Sequence, residues 1–271
     1  MKPAICIEML YPGLSAPEKI RRAASHGFKH IEFWGHGDKD IEALRSVCAQ
    51  TGSRIINFSA NRKGSLVDPT THDAMVEEIR DSLKVAGKLG TKTLMVLSNE
   101  LGEGGRVMDD FAAMPDSRKH ANTVAGLKKI AAILPKDFSI VLEPLNTVLD
   151  HVGNFLSGSG QSADILREVG DSRMGLLCDF YHMALMGEDP ETTARTWVKV
   201  IGHVHIADYP GRHEPGTGKG RWAKTLIALC ESGYKGYVGF EFSPTGDSDR
   251  ALEAVGRLWT EAFGKEGLCH D

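Results

Sequence analysis

Short runs of β-branched and other apolar residues alternate along the chain with longer stretches in which apolar positions recur every three to four residues. The short runs predict strands at 4–7, 30–33, 54–58, 93–97, 139–142, 174–178, 202–206 and 237–240. The longer stretches predict helices at 16–25, 40–51, 73–89, 117–134, 161–169, 191–198, 222–232 and 249–263. Ser15 stands where a helix N-cap belongs. Gly52, Gly90 and Gly170 stand where helices stop, and Pro135 follows another. Eight strand–helix pairs with no Pro/Ser-rich linker predict one domain over residues 1–271, folded as a single (β/α)8 TIM barrel of the α/β class. A doubly wound sheet is the weaker reading, because neither GxGxxG nor GxxxxGK[ST] follows the first strand. The longest irregular stretch, 98–116, has the length of an active-site lid or of a plain surface excursion.

Composition narrows the function classes. The 271 residues are 41% hydrophobic and 25% charged, which excludes disordered and fibrous chains. The net charge of −4 argues against a nucleic-acid or anionic-membrane partner. No segment approaches the ~20 apolar residues of a membrane span. The N-terminal MKPAICIEMLYPG breaks off its apolar run at Glu8, so it reads as a first strand rather than a signal peptide. The five cysteines are widely spaced, odd in number and without a CxxC pair. A disulfide framework and a thiolate zinc site are therefore not expected, and a reducing cytoplasm is. Cys269 is read as a free thiol.

Candidate chemistry lies where apolar strands end. SIVLEPLN puts Glu143 after the fifth run, and MGLLCDFYH puts Asp179 after the sixth with His182 three residues on. IGHVHIAD sets His203 and His205 two apart, hence on one face of the seventh strand. YVGFEF puts Glu241 at the end of the eighth. A lone glutamate after a strand is most often a solvated loop residue. Four such side chains on successive strands of one barrel instead converge on the mouth at the C-terminal ends. Three carboxylates crowded there repel one another, and a divalent cation relieves the repulsion. An oxygen-rich set with one imidazole and no thiolate suits Mg²⁺, Mn²⁺ or Co²⁺.

Four stretches carry a resemblance: VLEPLN, CDFYHMALM, VIGHVHIADYPGRHEPGTG and YVGFEFSPTGD. They resemble the hydroxypyruvate isomerase family, within the xylose isomerase-like barrels that also include ketose 3-epimerases. The likeness is close over 143–247 and looser before it. It implies a divalent metal held by Glu143, Asp179, His205 and Glu241. It also implies that Glu143 and Glu241 move the substrate's proton, and that the protein is a homo-oligomer. His205 departs from the isomerase pattern, since several members have Gln there and the epimerases have His.

The implied reaction is an aldose–ketose type shift on a small hydroxy-oxo acid, with hydroxypyruvate giving 2-hydroxy-3-oxopropanoate. The rival is a ketose 3-epimerase on a free sugar. For His182 the resemblance implies contact with a substrate oxygen, the alternative being support of the metal carboxylates. Arg212, after the seventh strand, is a clamp for a substrate carboxylate or a solvated loop residue. Trp34 walls the pocket or simply packs, and Asn57, near the third strand's end, is a weaker candidate for a substrate hydrogen bond. His203 is read as a core or supporting histidine. Three further classes are weighed. An endonuclease on this barrel would need more ligands and a basic groove. A non-catalytic barrel would have lost a ligand. A lyase would share the enediolate chemistry.

Overall fold

The computed structural model describes residues 1–264 of the 271. The Cys269 reading therefore falls outside the described residues. The strands are β1 (Lys2–Cys6), β2 (His30–Phe33), β3 (Arg54–Phe58), β4 (Thr93–Leu97), β5 (Ser139–Glu143), β6 (Met174–Asp179), β7 (Ile201–Ile206) and β8 (Tyr237–Phe240). The helices are α1 (Ala16–Ser25), α2 (Ile41–Thr51), α3 (His72–Leu89), α4 (Asp116–Ile133), α5 (Ser159–Val169), α6 (Phe180–Leu185), α7 (Pro190–Trp197), α8 (Trp222–Glu231) and α9 (Ser248–Phe263). The strands form one parallel sheet in the order β3-β2-β1-β8-β7-β6-β5-β4. A bridge from Ser59 to Met95 joins its two edges, so the sheet nearly closes into a barrel with helices around it.

The strand runs are almost wholly apolar because both faces of a parallel sheet are covered. Helix ends follow local chemistry. The Ser15 N–H donates to Glu18 at 2.8 Å, and Asp40 and Asp247 accept from Ala43 and Arg250 in the first turns of α2 and α9. Two strands run one residue further than their apolar pattern. Glu143 is the last residue of β5, opposite Leu97, and Asp179 is the last residue of β6, opposite His205. Helix α6 has no counterpart in the periodicity. Its six residues are too few to display a helical repeat, and Phe180 to Met183 are buried on every side.

Some barrel positions are apolar and others polar. Met95, Val141 and Leu177 form a small apolar cluster apart from the main core. Glu32, His203 and His205 form a buried polar one. Residue 239 of β8 passes against the latter. A Cβ there would meet Glu32 Oε2 at 2.6 Å and His205 Cδ2 at 2.7 Å, so only glycine fits. The stretch 98–116 is not wholly irregular. It carries a 3₁₀ turn at Glu103–Gly105 inside a bridge from Leu101 to Val107. Cys6, Cys48 and Cys178 are free thiols. Cys230 is disulfide-bonded, which the odd, widely spaced set does not signal. Among the described residues, no helix is long and apolar enough to cross a membrane.

Candidate active site

Strands β5 to β8 bring Glu143, Asp179, His205 and Glu241 to one end of the barrel. One ligand-type atom from each lies within 4.8 Å of the others, and all four side chains are buried. His205 Nδ1 is 3.3 Å from Glu241 Oε2 and 3.8 Å from Glu143 Oε1. Neither contact has hydrogen-bond alignment, and Glu143 Oε1, Asp179 Oδ2 and His205 Nδ1 are all buried without a partner. Native interiors rarely leave such atoms unpaired. Three unpaired ligand atoms close together are the donor set of a cation site, so the residues present fit a divalent metal.

The electrostatics agree with crowding. Burial pushes the Asp179 carboxyl up to about 7; Arg212 and His205 counter this, while Glu143 and Glu241 add to it. Burial alone would push the Glu241 carboxyl up, but Arg212, His205 and Trp34 hold it well below the usual range. Burial likewise disfavours a charged His205, yet Glu32, Glu143 and Glu241 raise it well above an ordinary histidine.

Glu32, which sequence reasoning left without a role, orients His205. Its Oε2 lies 2.8 Å from His205 Nε2, and its Oε1 lies 2.7 Å from His203 Nε2 without hydrogen-bond alignment. Burial raises the Glu32 carboxyl, but the two imidazoles outweigh it and leave it at about 2. An ionised Glu32 on Nε2 turns Nδ1 toward the other three ligand atoms. Such an outer carboxylate fixes the orientation and tautomer of a ligating histidine. The signal was present: a glutamate inside the apolar strand HIEF needs a buried partner, and two same-face histidines offer one.

Above this cluster lies a cavity of about 420 Å³. Met9, Trp34, Leu97, Leu101 and Leu145 supply apolar wall, and Arg62, Asp150, His151, His182 and Arg212 supply polar groups. Trp34 thus lines the cavity, and its Nε1 donates to Glu241 Oε1. Asn57 does not line it. It is buried in β3 opposite Glu32, with Oδ1 unpaired. His182 is fully buried, and burial, Arg212 and His151 hold it well below an ordinary histidine, hence neutral. Asn146 Nδ2 is 2.7 Å from His182 Nδ1. The Asn146 amide is oriented by the N–H groups of Leu149 and Asp150 on its oxygen. Nδ1 therefore accepts and Nε2 carries the proton, 3.6 Å from Asp179 Oδ2.

Arg212 is not the free guanidinium that its motif suggests. Its Nη2 donates to Glu241 Oε2 at 2.7 Å and lies 3.8 Å from Asp179 Oδ2, while Nε has no partner. The loop carrying it hangs on Asp208, which is fully buried. One Asp208 oxygen accepts from Tyr209 N and Gly220 N, the other from Gly216 N and Gly218 N, all at 2.8–2.9 Å. Asp208→Ala removes the acceptor of four N–H groups. It should lower stability by about 3 kcal/mol, given roughly 1–3 kcal/mol per buried unsatisfied group and partial relaxation of the loop. Urea unfolding tests this: the midpoint should fall at an unchanged m-value.

Sequence reasoning also missed Asp150 and His151. Both sit in the β5–α5 loop, where no periodicity marks them. Asp150 Oδ2 accepts from Asn146 Nδ2 at 2.8 Å and Tyr181 Oη at 2.7 Å. His151 Nδ1 lies 2.7 Å from the Gly105 carbonyl, joining this loop to the 98–116 stretch over the cavity.

Known proteins share this architecture. The hydroxypyruvate isomerase of Escherichia coli (strain K12) is 28% identical over 254 residues, covering 91% of this chain and 95% of that protein. The 2-oxo-tetronate isomerase of Cupriavidus necator is 24% identical over 264 residues, covering 95% and 96%. A crystal structure described as an AP endonuclease, family 2, from Brucella melitensis superposes with a TM-score of 0.84 at 22% identity, covering 94% of this chain and 98% of that one. This last likeness is one of fold. Residues 20–260, most of the barrel, match the family described as xylose isomerase-like TIM barrel, and the chain belongs to that family.

Proposed function

We propose that the protein is a divalent-metal-assisted isomerase. It shifts a carbonyl between neighbouring carbons of a small hydroxy-oxo acid, with hydroxypyruvate to 2-hydroxy-3-oxopropanoate as the leading reaction. The observation that carries the reading is the set of unpaired ligand atoms of Glu143, Asp179 and His205, gathered with Glu241 at the floor of the cavity. The isomerase relatives support the reaction class.

Glu143, Asp179, His205 and Glu241 would hold the ion, and the oxygen-rich donor set suits Mg²⁺, Mn²⁺ or Co²⁺. A bound divalent ion supplies Lewis-acid polarisation of the substrate carbonyl and stabilises the enediolate. The chain's own groups do the rest. Glu143 and Glu241 are the proton-transfer pair. One takes the proton from the carbon beside the carbonyl, and the other serves its return. Trp34 and Arg212 hold Glu241 as an anion facing the cavity. Neutral His182 presents an N–H to a substrate oxygen, and the unpaired Nε of Arg212 offers a second donor. Trp34 and the apolar wall keep water from the reacting carbon.

A ketose 3-epimerase is the second reading. It is favoured by the cavity volume, which exceeds what a three-carbon acid fills, and by the histidine at position 205. Both reactions begin with the same deprotonation, so substrate identity separates them. Proton NMR in D₂O, with the metal-loaded protein and hydroxypyruvate or a ketohexose, is the test. The isomerase reading predicts catalysed deuterium incorporation and aldehyde product from hydroxypyruvate, with the sugar turned over at least about 100-fold less efficiently, the scale set by a lost charged contact. Efficient sugar epimerisation with inert hydroxypyruvate would replace the isomerase reading by the second one.

A further inference from the structure

We infer that Arg62, rather than Arg212, receives the substrate's carboxylate and sets the preference for an acid over an uncharged ketose. This deepens the proposed isomerase reading and rests on it. An anionic substrate entering this cavity meets Glu143, Glu241 and Asp150 on its lining, with Asp179 beside them. Beyond the ion that Glu143, Asp179, His205 and Glu241 would hold, its carboxylate needs a cation that these acids have not claimed. Arg212 is claimed, since its Nη2 bridges toward Glu241 and Asp179. The cavity's other arginine is Arg62.

Arg62 is anchored by its backbone and free at its head. Glu78, on α3, accepts from the Arg62 N–H at 2.9 Å with one oxygen and from the Lys63 N–H at 3.2 Å with the other. The carboxylate that anchors the loop is thus occupied by main-chain donors. Among the described residues, no carboxylate lies within ion-pair distance of the Arg62 guanidinium. Asp38 feels its charge only from further off. The stem runs along the backbone at Gly35, where a Cβ would sit 3.4 Å from Arg62 Cδ. Gly35 directly follows Trp34, the residue whose Nε1 reaches Glu241. A planar guanidinium held at its base, unpaired at its tip and lining an acidic cavity is built for two-point binding of a carboxylate.

The test compares Arg62→Met and Arg62→Lys with the parent protein. Arg62 is exposed, so both variants should fold with unchanged melting temperature. Initial rates are measured with hydroxypyruvate and with uncharged dihydroxyacetone. Calorimetry measures affinity for glycerate, an unreactive acid with the same carboxylate. Loss of a charge-assisted contact predicts a rise in KM for hydroxypyruvate of roughly 10- to 100-fold in Arg62→Met, with kcat changed less than about threefold. Glycerate affinity should fall by a similar factor, dihydroxyacetone kinetics should stay level, and Arg62→Lys should restore part of the loss. Unchanged KM and glycerate affinity in Arg62→Met would overturn the inference. So would an equal loss with dihydroxyacetone, or no glycerate binding by the parent. If the parent turns over neither compound, the isomerase reading fails, and the glycerate titration alone decides whether Arg62 binds the carboxylate.

Discussion

Glu143→Gln should lower kcat for hydroxypyruvate isomerisation by about 10³-fold or more, with Glu241→Gln falling at least as far. The amide keeps the shape of each side chain and removes its capacity to take a proton. General acid–base groups typically contribute about 10²- to 10⁴-fold. Each carboxylate is also a member of the crowded donor set, so its loss weakens that set as well. The two variants should differ in KM. Glu241 anchors Arg212 and Trp34, and its replacement frees Arg212 from its shortest ion pair. Glu143 Oε1 has no partner to release. Glu241→Gln should therefore disturb substrate affinity as well as turnover, whereas Glu143→Gln should act mainly on kcat. The double variant should be scarcely slower than the worse single one, because residues acting as a unit are not additive. Near-parental turnover in either single variant, followed by proton exchange into D₂O, would refute the paired role.

Much of the barrel was legible in the chain because its physics is local. Strands covered on both faces become continuous apolar runs, and helices announce themselves through a cap such as Ser15 and a stop such as Gly52. The four convergent residues were legible for a related reason. A charged side chain at the end of such a run has no apolar explanation, and the topology sends all such ends to one mouth. What stayed hidden depends on partners distant in sequence. Arg212 reads as a clamp until Glu241, 29 residues away, is seen to hold it. Glu32 is an unremarked strand residue until His205, 173 residues on, accounts for it. Arg62, Asp150 and His151 lie in loops, where periodicity carries no information. Asn57 pairs with Glu32 across β2 and β3. Its place near a strand end suggested the mouth, but the cavity wall does not include it.

The second large effect concerns the cation itself. Exhaustive chelation should lower turnover by at least about 10³-fold, since carbonyl polarisation supplies several kcal/mol of transition-state stabilisation and each 1.36 kcal/mol is a factor of ten. Adding Mn²⁺, Mg²⁺ or Co²⁺ back should restore it. The unpaired atoms of Glu143, Asp179 and His205 make the chelated site a poor resting state, so the chain should take up metal readily at neutral pH. Asp179→Asn, which removes a ligand outside the proton-transfer pair, should fail to recover with the metal concentration that restores the parent.

The most direct measurement is a calorimetric Mn²⁺ titration of the chelated protein, run beside its turnover of hydroxypyruvate. One ion bound per chain, with activity returning in step with occupancy and both lost in Asp179→Asn, is the predicted result. Full activity before any metal is added, or binding that Asp179→Asn leaves intact, would contradict the account.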